Sequence, residues 1–197
     1  FTGGDLKGII DRLDYLKDLG INTLYLTPIF KSPSNHKYDI IDYYQIDSQF
    51  GDKSILKELV EKAHKNGIRI ILDAVFNHIS KENYMFKDVK DKGINSKYYD
   101  WFFIDGDYIE DNVNYKTFSI VDYMPRLNTS NTEVQDYLIK VGKYWIEEFG
   151  IDGWRLDVSD EVSHDFWRRF RKEIKSINKN AVLIGENWHD AASYLQG

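Results

Sequence analysis

Short apolar segments alternate with helical patterns along this chain, and that alternation restricts the fold more than any other feature. Apolar residues recur every three or four positions where helices are predicted, and β-rich runs bounded by glycine or proline predict strands. The predicted helices span 6–19, 54–67, about 133–149 and about 161–177, and the predicted strands span 21–29, 68–78, 150–161 and 181–188. Apolar strands separated by helices indicate an α/β fold whose parallel sheet is covered on both faces.

Polar side chains cluster where three of these strands end, and their position separates two architectures. They are Asp73, Asn77 and His78, then Arg155 and Asp157, then Glu186 and Trp188. In a closed barrel the carboxyl ends of all strands form one rim around one site, whereas in a doubly wound sheet only strands at a switch point share a site. No glycine-rich phosphate turn follows any strand, which argues against a nucleotide-binding sheet. We therefore expect a fragment of a TIM barrel, because four strands cannot close a barrel of eight.

The segment after the second predicted strand interrupts this alternation. Residues 79–130 hold many aromatic side chains among Asp, Asn and Gly, so they are too aromatic for a disordered linker and too irregular for another helix and strand. We expect 1–78 to be the first part of the barrel, 79–130 an inserted subdomain beside the rim, and 131–197 the truncated continuation of the barrel.

Charge and composition exclude several classes of partner. The 197-residue chain has a net charge of −6 and scattered lysines and arginines, so it offers no basic stripe for nucleic acid and no polybasic helix for a membrane surface. No apolar run approaches the roughly 20 residues that span a bilayer. The absence of cysteine excludes disulfides, thiol catalysis and cysteine-ligated zinc. We expect a soluble globular protein with neither a nucleic acid nor a membrane partner.

Arg155 and Asp157 lie two residues apart in the third predicted strand, so their side chains share one face. The guanidinium stays charged at any working pH, and we expect it to lower the pKa of Asp157 and keep this carboxylate ionised. A nucleophile at an anomeric carbon requires such a group; the alternative is a buried ion pair that only ties strands together. We expect Asp160 and Glu161 in the first turn of the next helix, where acids favour the dipole.

Glu186 ends the neighbouring strand, and its position favours a catalytic pair over a solvated rim residue. Adjacent strands lie about 4.8 Å apart, which predicts a separation of about 5 to 6 Å between the carboxyl groups of Asp157 and Glu186. Retaining glycosidases need about 5 to 5.5 Å, and inverting enzymes need room for a water molecule. Partial burial beside an ionised Asp157 is expected to raise the pKa of Glu186, which suits a general acid.

Three further polar residues lie toward the C-terminal end of the second predicted strand, and each has a structural alternative. His78 is a candidate donor to a sugar hydroxyl, although a lone histidine is more often a core residue. Asp73 is expected at the top of the barrel, where it either bonds its neighbours or contacts substrate. Asn77, with nearby acidic loop residues, is a candidate oxygen ligand for a structural calcium ion, or else an ordinary loop residue. No cofactor is expected to be required.

Several stretches resemble the α-amylase superfamily of glycoside hydrolases, and the likeness covers nearly the whole chain. Three match its defining motifs in the right order: "DAVFNH" (73–78), "GWRLDVSDE" (153–161) and "GENWHD" (185–190). The segment at 34–51, "SNHKYDIIDYYQIDSQFG", resembles the stretch whose tyrosine, here Tyr38, stacks on the sugar being cleaved, with Asp39 nearby. "MPRLN" (124–128) resembles the MPKLN signature of the neopullulanase, cyclomaltodextrinase and maltogenic amylase branch, whereas oligo-1,6-glucosidases typically have QPDLN.

This resemblance implies the catalytic roles. Asp157 is then the nucleophile, Glu186 the acid/base, and Arg155 the residue that orients the nucleophile. A third carboxylate is also implied, an Asp that follows a His beyond the seventh strand, and it lies outside this sequence. The four predicted strands correspond in this comparison to the second through fifth of the barrel.

The resemblance also implies substrate contacts and assembly. His78 and Tyr38 bind the sugar at the cleavage point, while Trp188 and Glu161 face the leaving-group side and influence the acceptor. This branch usually dimerises through an N-terminal domain, so we expect the full-length protein to be a homodimer.

Together these expectations describe a retaining α-glucan hydrolase that cleaves α-1,4 bonds in cyclodextrins, maltooligosaccharides, pullulan or starch. We expect it in the cytoplasm, and we expect the 197-residue fragment alone to be inactive. The alternatives are a non-catalytic amylase-like interaction domain, which typically lacks the catalytic acids, and a related α-glucosidase or oligo-1,6-glucosidase.

Overall fold

One four-stranded parallel sheet organises the fold. The computed structural model describes residues 3–111 and 113–192. The strands are β1 (Thr23–Tyr25), β2 (Phe30–Lys31), β3 (Asp42–Ile46), β4 (Arg69–Ala74), β5 (Thr117–Phe118), β6 (Val121–Pro125), β7 (Gly153–Leu156) and β8 (Val182–Gly185). The helices are α1 (Leu6–Ile10), α2 (Leu13–Asp18), α3 (Lys53–Lys65), α4 (Tyr84–Lys92), α5 (Thr132–Phe149) and α6 (His164–Ile177). β1, β4, β7 and β8 pair in that order and all run parallel, so the four predicted strands are confirmed, each shorter than predicted.

The register of the sheet brings the polar rim residues to similar heights. Asp73 on β4 is the partner of Arg155 on β7, and Leu156 is the partner of Gly185 on β8. The backbone N–H of Glu186 donates to the carbonyl of Leu156 at 3.0 Å, which extends the pairing one residue past β8. The carboxyl ends of three neighbouring strands therefore present their side chains at one edge.

The opposite face of β7 packs against helices, as the alternation of its side chains predicts. Trp154 is fully buried, and its indole N–H donates to the carbonyl of Gly142 in α5 at 3.2 Å. Gly142 is also the point where α5 and α6 approach closely, since a Cβ there would lie 2.4 Å from the ring of Phe170. This packing fixes the rotation of β7 and so directs Arg155 toward the other face.

Two helix predictions differ from the structure. The helix predicted over 6–19 is two short helices, because Arg12 leaves helical geometry with φ −112° and ψ 3°. The helix predicted from about 161 begins instead at His164, and a 3₁₀ turn (Ser159–Glu161) precedes it. Val162 separates the two because it is buried in an extended conformation, so Asp160 and Glu161 do not belong to the first turn of α6. None of the helices among the described residues is long and apolar enough to cross a bilayer.

The irregular segment 79–130 contains α4, two 3₁₀ turns and the antiparallel hairpin of β5 and β6. The hairpin is bonded directly to the chain that leaves β4. Ile79 donates its N–H to the carbonyl of Pro125 at 3.1 Å, and the N–H of Leu127 donates to the carbonyl of Asn77 at 2.9 Å. These bonds place the hairpin beside the polar edge of the sheet.

Gly153 is a position where no side chain fits, and its replacement tests the packing of β7 against β8. It has φ +156°, and a Cβ there would lie 2.0 Å from the carbonyl oxygen of Val182. We expect Gly153→Ala to lower the free energy of unfolding by about 3 kcal/mol or more, because the clash is with backbone that cannot move without breaking the sheet. Urea denaturation of the full-length protein measures this. Gly4→Ala is the control, since its Cβ meets no atom within 4 Å, and equal losses in the two variants would contradict the prediction.

Candidate active site

One guanidinium binds three carboxylates at the polar edge of the sheet. Arg155 Nη1 lies 2.8 Å from Asp73 Oδ2 and 2.8 Å from Asp157 Oδ1, and Nη2 lies 2.6 Å from Glu186 Oε2. The three acids come from the ends of β4, β7 and β8, so the sheet order alone assembles the group. The sequence predicted Arg155 beside Asp157, and the structure adds Asp73 and Glu186 to the same cation.

A strained turn after β7 fixes the position of the two acids relative to each other. The N–H of Asp157 still donates to the carbonyl of Ala74 at 3.1 Å, but Val158 has φ +44°, which β-branched residues rarely adopt. In this conformation the N–H of Val158 donates to Glu186 Oε2 at 3.0 Å. The backbone of the turn that follows Asp157 thus holds the side chain of Glu186. Backbone strain of this kind is typical of functional sites.

Burial decides the protonation of Asp157. The side chain is almost completely buried, and burial raises the pKa of Asp157 to about 7, with the negative charge of Asp73 acting in the same direction. Arg155 opposes the shift without cancelling it. The predicted lowering of this pKa is therefore wrong, because removing the carboxylate from water outweighs its attraction to one cation that two other acids also bind.

Asp73 is buried, and neighbouring side chains donate hydrogen bonds to its carboxylate. Arg155 Nη1 donates to both of its oxygens, and the hydroxyls of Tyr25 and Tyr38 donate to Oδ2, Tyr38 at 3.4 Å. Burial raises the pKa of Asp73, while the bonds from Tyr25 and Arg155 lower it. Asp73 thus bonds its neighbours, and its contact with substrate stays a prediction.

These groups open into a cleft of about 290 Å³. Of the predicted site residues, it is lined by Tyr38, His78, Arg155, Asp157, Glu186 and Trp188, joined by His36, Phe118, Met124 and Val158. Trp188 is 72% exposed at its mouth, which leaves the indole face open to a ligand. The cleft therefore combines aromatic faces with two carboxylates on adjacent strands, a combination that suits a sugar.

His78 is neutral and aimed into this cleft. Burial lowers the pKa of His78 to about 4, so the ring carries no charge near neutral pH. The ring of Phe118 stacks on it with centroids 4.7 Å apart. Its Nε2 is buried and has no hydrogen-bond partner among residues 3–111 and 113–192, so the hydrogen-bonding capacity of this nitrogen is unsatisfied.

The site and the fold carry a family signature along the whole chain. The α-amylase catalytic-domain family matches residues 2–197. The chain belongs to this family. The predicted TIM-barrel architecture is thereby confirmed for the part of the barrel that the chain covers.

Relatives of this amylase-family chain include proteins named maltogenic amylase, neopullulanase and cyclomaltodextrinase. It is 55% identical to the maltogenic alpha-amylase of Bacillus acidopullulyticus and 54% identical to neopullulanase 2 of Thermoactinomyces vulgaris, over 100% of this chain and 34% of each relative. It superposes on a solved cyclomaltodextrinase with a TM-score of 0.92 and 52% identity, covering 97% of this chain and 33% of that one. A cyclic alpha-maltosyl-(1→6)-maltose hydrolase from Arthrobacter globiformis gives a TM-score of 0.94 at 42% identity, covering 100% and 45%. The chain spans about a third of the length of the curated relatives it matches.

Glu161 does not line the cleft that contains the paired acids. It lies in an adjoining cleft of about 390 Å³, which it shares with Trp188 and Phe118. Arg126 of the "MPRLN" stretch holds it, because Nη2 donates to the carbonyl of Glu161 at 2.5 Å and Nη1 lies 3.8 Å from the carboxylate. Trp188 thus borders both clefts, and Glu161 only the second.

Asn77 contacts Glu161 rather than a ring of acids. Its Nδ2 donates to Glu161 Oε2 at 3.4 Å, and its Oδ1 is buried with no hydrogen-bond partner in the described part of the chain. A calcium ion takes six to eight oxygen ligands, and the described residues contain no group of three or more His, Asp or Glu side chains arranged to hold a metal. The orphaned oxygen fits one ligand position, and calcium at Asn77 stays a prediction.

Sequence reasoning missed several residues that shape the site, among them His36 and Val158 in the cleft lining. Tyr25 donates to Asp73 and lies with its ring 5.7 Å from the guanidinium of Arg155. Phe118, Met124 and Arg126 come from the β5–β6 hairpin and the residue after it. Tyr25 carried a usable signal, because it is a tyrosine within the predicted strand 21–29. Met124 and Arg126 carried a signal only as members of the "MPRLN" stretch. Phe118 carried none, because no periodicity in 79–130 shows which way the hairpin folds.

The charge of Asp73 provides a test of the electrostatics at Asp157. Asp73→Asn removes a negative charge that raises the pKa of Asp157 and leaves Arg155 freer to bind Asp157. If ionised Asp157 is required for activity, we expect the acidic limb of the pH profile of kcat/KM to move to lower pH in this variant.

Asp152→Asn is the matched control, because Asp152 precedes β7 at the opposite edge of the sheet, where it bonds His64. Its acidic limb should coincide with that of the wild type. A limb that stays in place, or moves to higher pH, in Asp73→Asn would refute the assignment of this limb to Asp157.

Proposed function

We propose that the protein containing this chain is a retaining α-glucan hydrolase that cleaves α-1,4 bonds in cyclodextrins, maltooligosaccharides, pullulan or starch. The observation that carries the proposal is the shared guanidinium. Asp157 and Glu186, from adjacent strands, both bind Arg155 at the floor of one sugar-sized cleft. The names of the relatives, which include maltogenic amylase, neopullulanase and cyclomaltodextrinase, support this substrate class.

In the proposed mechanism, ionised Asp157 attacks the anomeric carbon while Glu186 protonates the departing glycosidic oxygen. This forms a covalent glycosyl-enzyme, and Glu186 then takes a proton from the water that releases the sugar. Contact of both acids with the same guanidinium supports the short separation of about 5 to 5.5 Å that retention requires. Arg155 orients both groups and balances the charge of Asp157 before the attack.

The remaining cleft residues take binding roles in this proposal. Neutral His78 presents Nε2 to a hydroxyl, and Tyr38 offers its ring to the sugar at the cleavage point. Trp188 and Glu161 lie toward the adjoining cleft, where the leaving group would extend. The third carboxylate implied by the family would come from a part of the barrel outside this chain.

Location, assembly and ions complete the proposal. A cytoplasmic location is supported by a relative from Bacillus subtilis, 52% identical, that is named intracellular maltogenic amylase. Homodimerisation of the full-length protein is proposed from the resemblance to this branch. We propose that bond cleavage requires no cofactor and that Asn77 Oδ1 is one ligand of a structural calcium ion.

Substitution of the two acids tests the proposed roles. In the full-length protein, Asp157→Asn should lower kcat on β-cyclodextrin by about 10⁴-fold or more, since the amide cannot attack. Glu186→Gln should lose most activity on β-cyclodextrin but much less on an α-glucosyl fluoride, whose leaving group needs no proton. Asp14→Asn is the control, because Asp14 is an exposed acid on α2 that lines neither cleft. Substantial turnover by folded Asp157→Asn would refute the nucleophile assignment.

Retention is tested separately by the stereochemistry of the first product. NMR spectra recorded within the first turnovers should show the α-anomer of the new reducing end, which mutarotates only later. Initial appearance of the β-anomer would indicate inversion and would exclude the glycosyl-enzyme.

The chain of 197 residues by itself is proposed to be inactive. Four strands cannot close the barrel around the cleft, and the third carboxylate is not supplied. No release of reducing sugar from β-cyclodextrin is expected from the purified chain at concentrations where the full-length protein is active. Measurable turnover by a correctly folded 197-residue chain would contradict this.

A further inference from the structure

Lys37 combines two unfavourable features immediately before Tyr38. It has φ +66°, in the left-handed region that residues with a Cβ rarely adopt. It is also only 3% exposed, and it is the one buried lysine among the described residues. Lysine is almost never fully buried unless it is paired, so this position has a specific partner.

The ammonium group of Lys37 is held by Ser32, which follows β2, and by Asp47, which follows β3. Nζ lies 2.9 Å from Asp47 Oδ2 and donates to the carbonyl of Ser32 at 3.2 Å. Asp47 is fixed in turn, because it accepts bonds from the N–H groups of Ser32 at 3.2 Å and Gln49 at 3.1 Å. The lysine side chain therefore ties the β2–β3 loop to the residue that follows β3.

The residue after Tyr38 is anchored as firmly as the residue before it. Asp39 is 2% exposed, and its Oδ1 accepts bonds from the hydroxyls of Ser32, at 2.7 Å, and Ser34. Tyr38 lies between two buried, bonded neighbours, and its own ring lines the cleft with its hydroxyl 3.4 Å from Asp73 Oδ2. Because the residues on both sides of Tyr38 are anchored, the backbone at Tyr38 is held in the conformation that directs its ring into the cleft.

We propose that Lys37 is a positioning residue: its buried bond to Asp47 holds the left-handed backbone that aims Tyr38 into the cleft. The inference rests on the proposed function, because it assigns Lys37 a part in binding the sugar at the cleavage point. Strain in the backbone at Lys37 is offset by the buried ion pair, and the ring of Tyr38 is thereby ordered before substrate binds. A misplacement of about 1 Å in such a group can cost roughly 100-fold in rate.

The test uses Lys37→Met in the full-length protein, alone and combined with Tyr38→Ala, with kcat and KM on β-cyclodextrin as the readout. We expect Lys37→Met alone to lower kcat/KM by about tenfold or more. In the Tyr38→Ala background we expect it to cost less than about twofold, because two residues that act through one contact are not additive. Lys90→Met, which removes an exposed pair with Asp111, is the control and should leave kcat/KM unchanged.

Two further variants separate the charge from the backbone. Lys37→Gly adopts a positive φ without strain but has no ammonium, so its loss should lie between those of the wild type and Lys37→Met. Asp47→Asn removes the charge partner, and because its amide has a single acceptor oxygen it also loses the bond from the N–H of either Ser32 or Gln49. It should repeat the non-additivity with Tyr38→Ala if Lys37→Met does not fold. Crystal structures should show the Tyr38 ring withdrawn from Asp73 in the variants that lose activity.

The outcomes distinguish this inference from the proposed function. Absence of turnover by the wild-type full-length protein would refute the function itself. With an active wild type, the positioning role fails if Lys37→Met or Asp47→Asn keeps wild-type kcat/KM. It fails equally if the loss is as large in the Tyr38→Ala background as without it, because the lysine then acts only through general stability.

Discussion

The interaction of Arg155 with three carboxylates is the constraint on which the rest of this structure depends. Asp73, Asp157 and Glu186 come from three adjacent parallel strands, and holding the two buried acids beside the partly exposed Glu186 without a cation would be strongly unfavourable. The planar guanidinium satisfies them because its nitrogens point in different directions within one plane. Packing of Trp154 against α5 turns β7 so that the arginine faces the acids. Fold and site therefore share one determinant.

The single positive charge of Arg155 does not neutralise three carboxylates, and this imbalance affects the protonation of Asp157. Asp157 has a pKa of about 7 because burial and the charge of Asp73 outweigh the attraction of Arg155. A group with such a pKa is poised near neutral pH, and a bound sugar that develops positive charge would favour its ionised form. The strained turn at Val158 adds a backbone donor to Glu186. Neighbouring acids are thereby held in different surroundings, which suits different roles.

The sequence predicted what local patterns and parallel pairing determine. Apolar runs located the four strands, and period two placed Arg155 and Asp157 on one face. The sequence did not predict long-range contacts, because the packing of Phe118 on His78, for example, depends on how the irregular segment 79–130 folds. The helix predicted from about 161 was wrong at its start because burial of Val162 overrides the local preference. The pKa of Asp157 was misjudged because a sequence shows the partner charge but not the depth of burial.

The central claim is that Asp157, held by Arg155, becomes covalently bound to the sugar. Its most direct test is mass spectrometry of the full-length protein after reaction with a fluorinated α-glucosyl fluoride, which slows release of the glycosyl-enzyme. The account predicts a mass increase of one sugar per chain, located by peptide mapping on Asp157. A label on Glu186, or no label on a protein that turns over β-cyclodextrin, would contradict it.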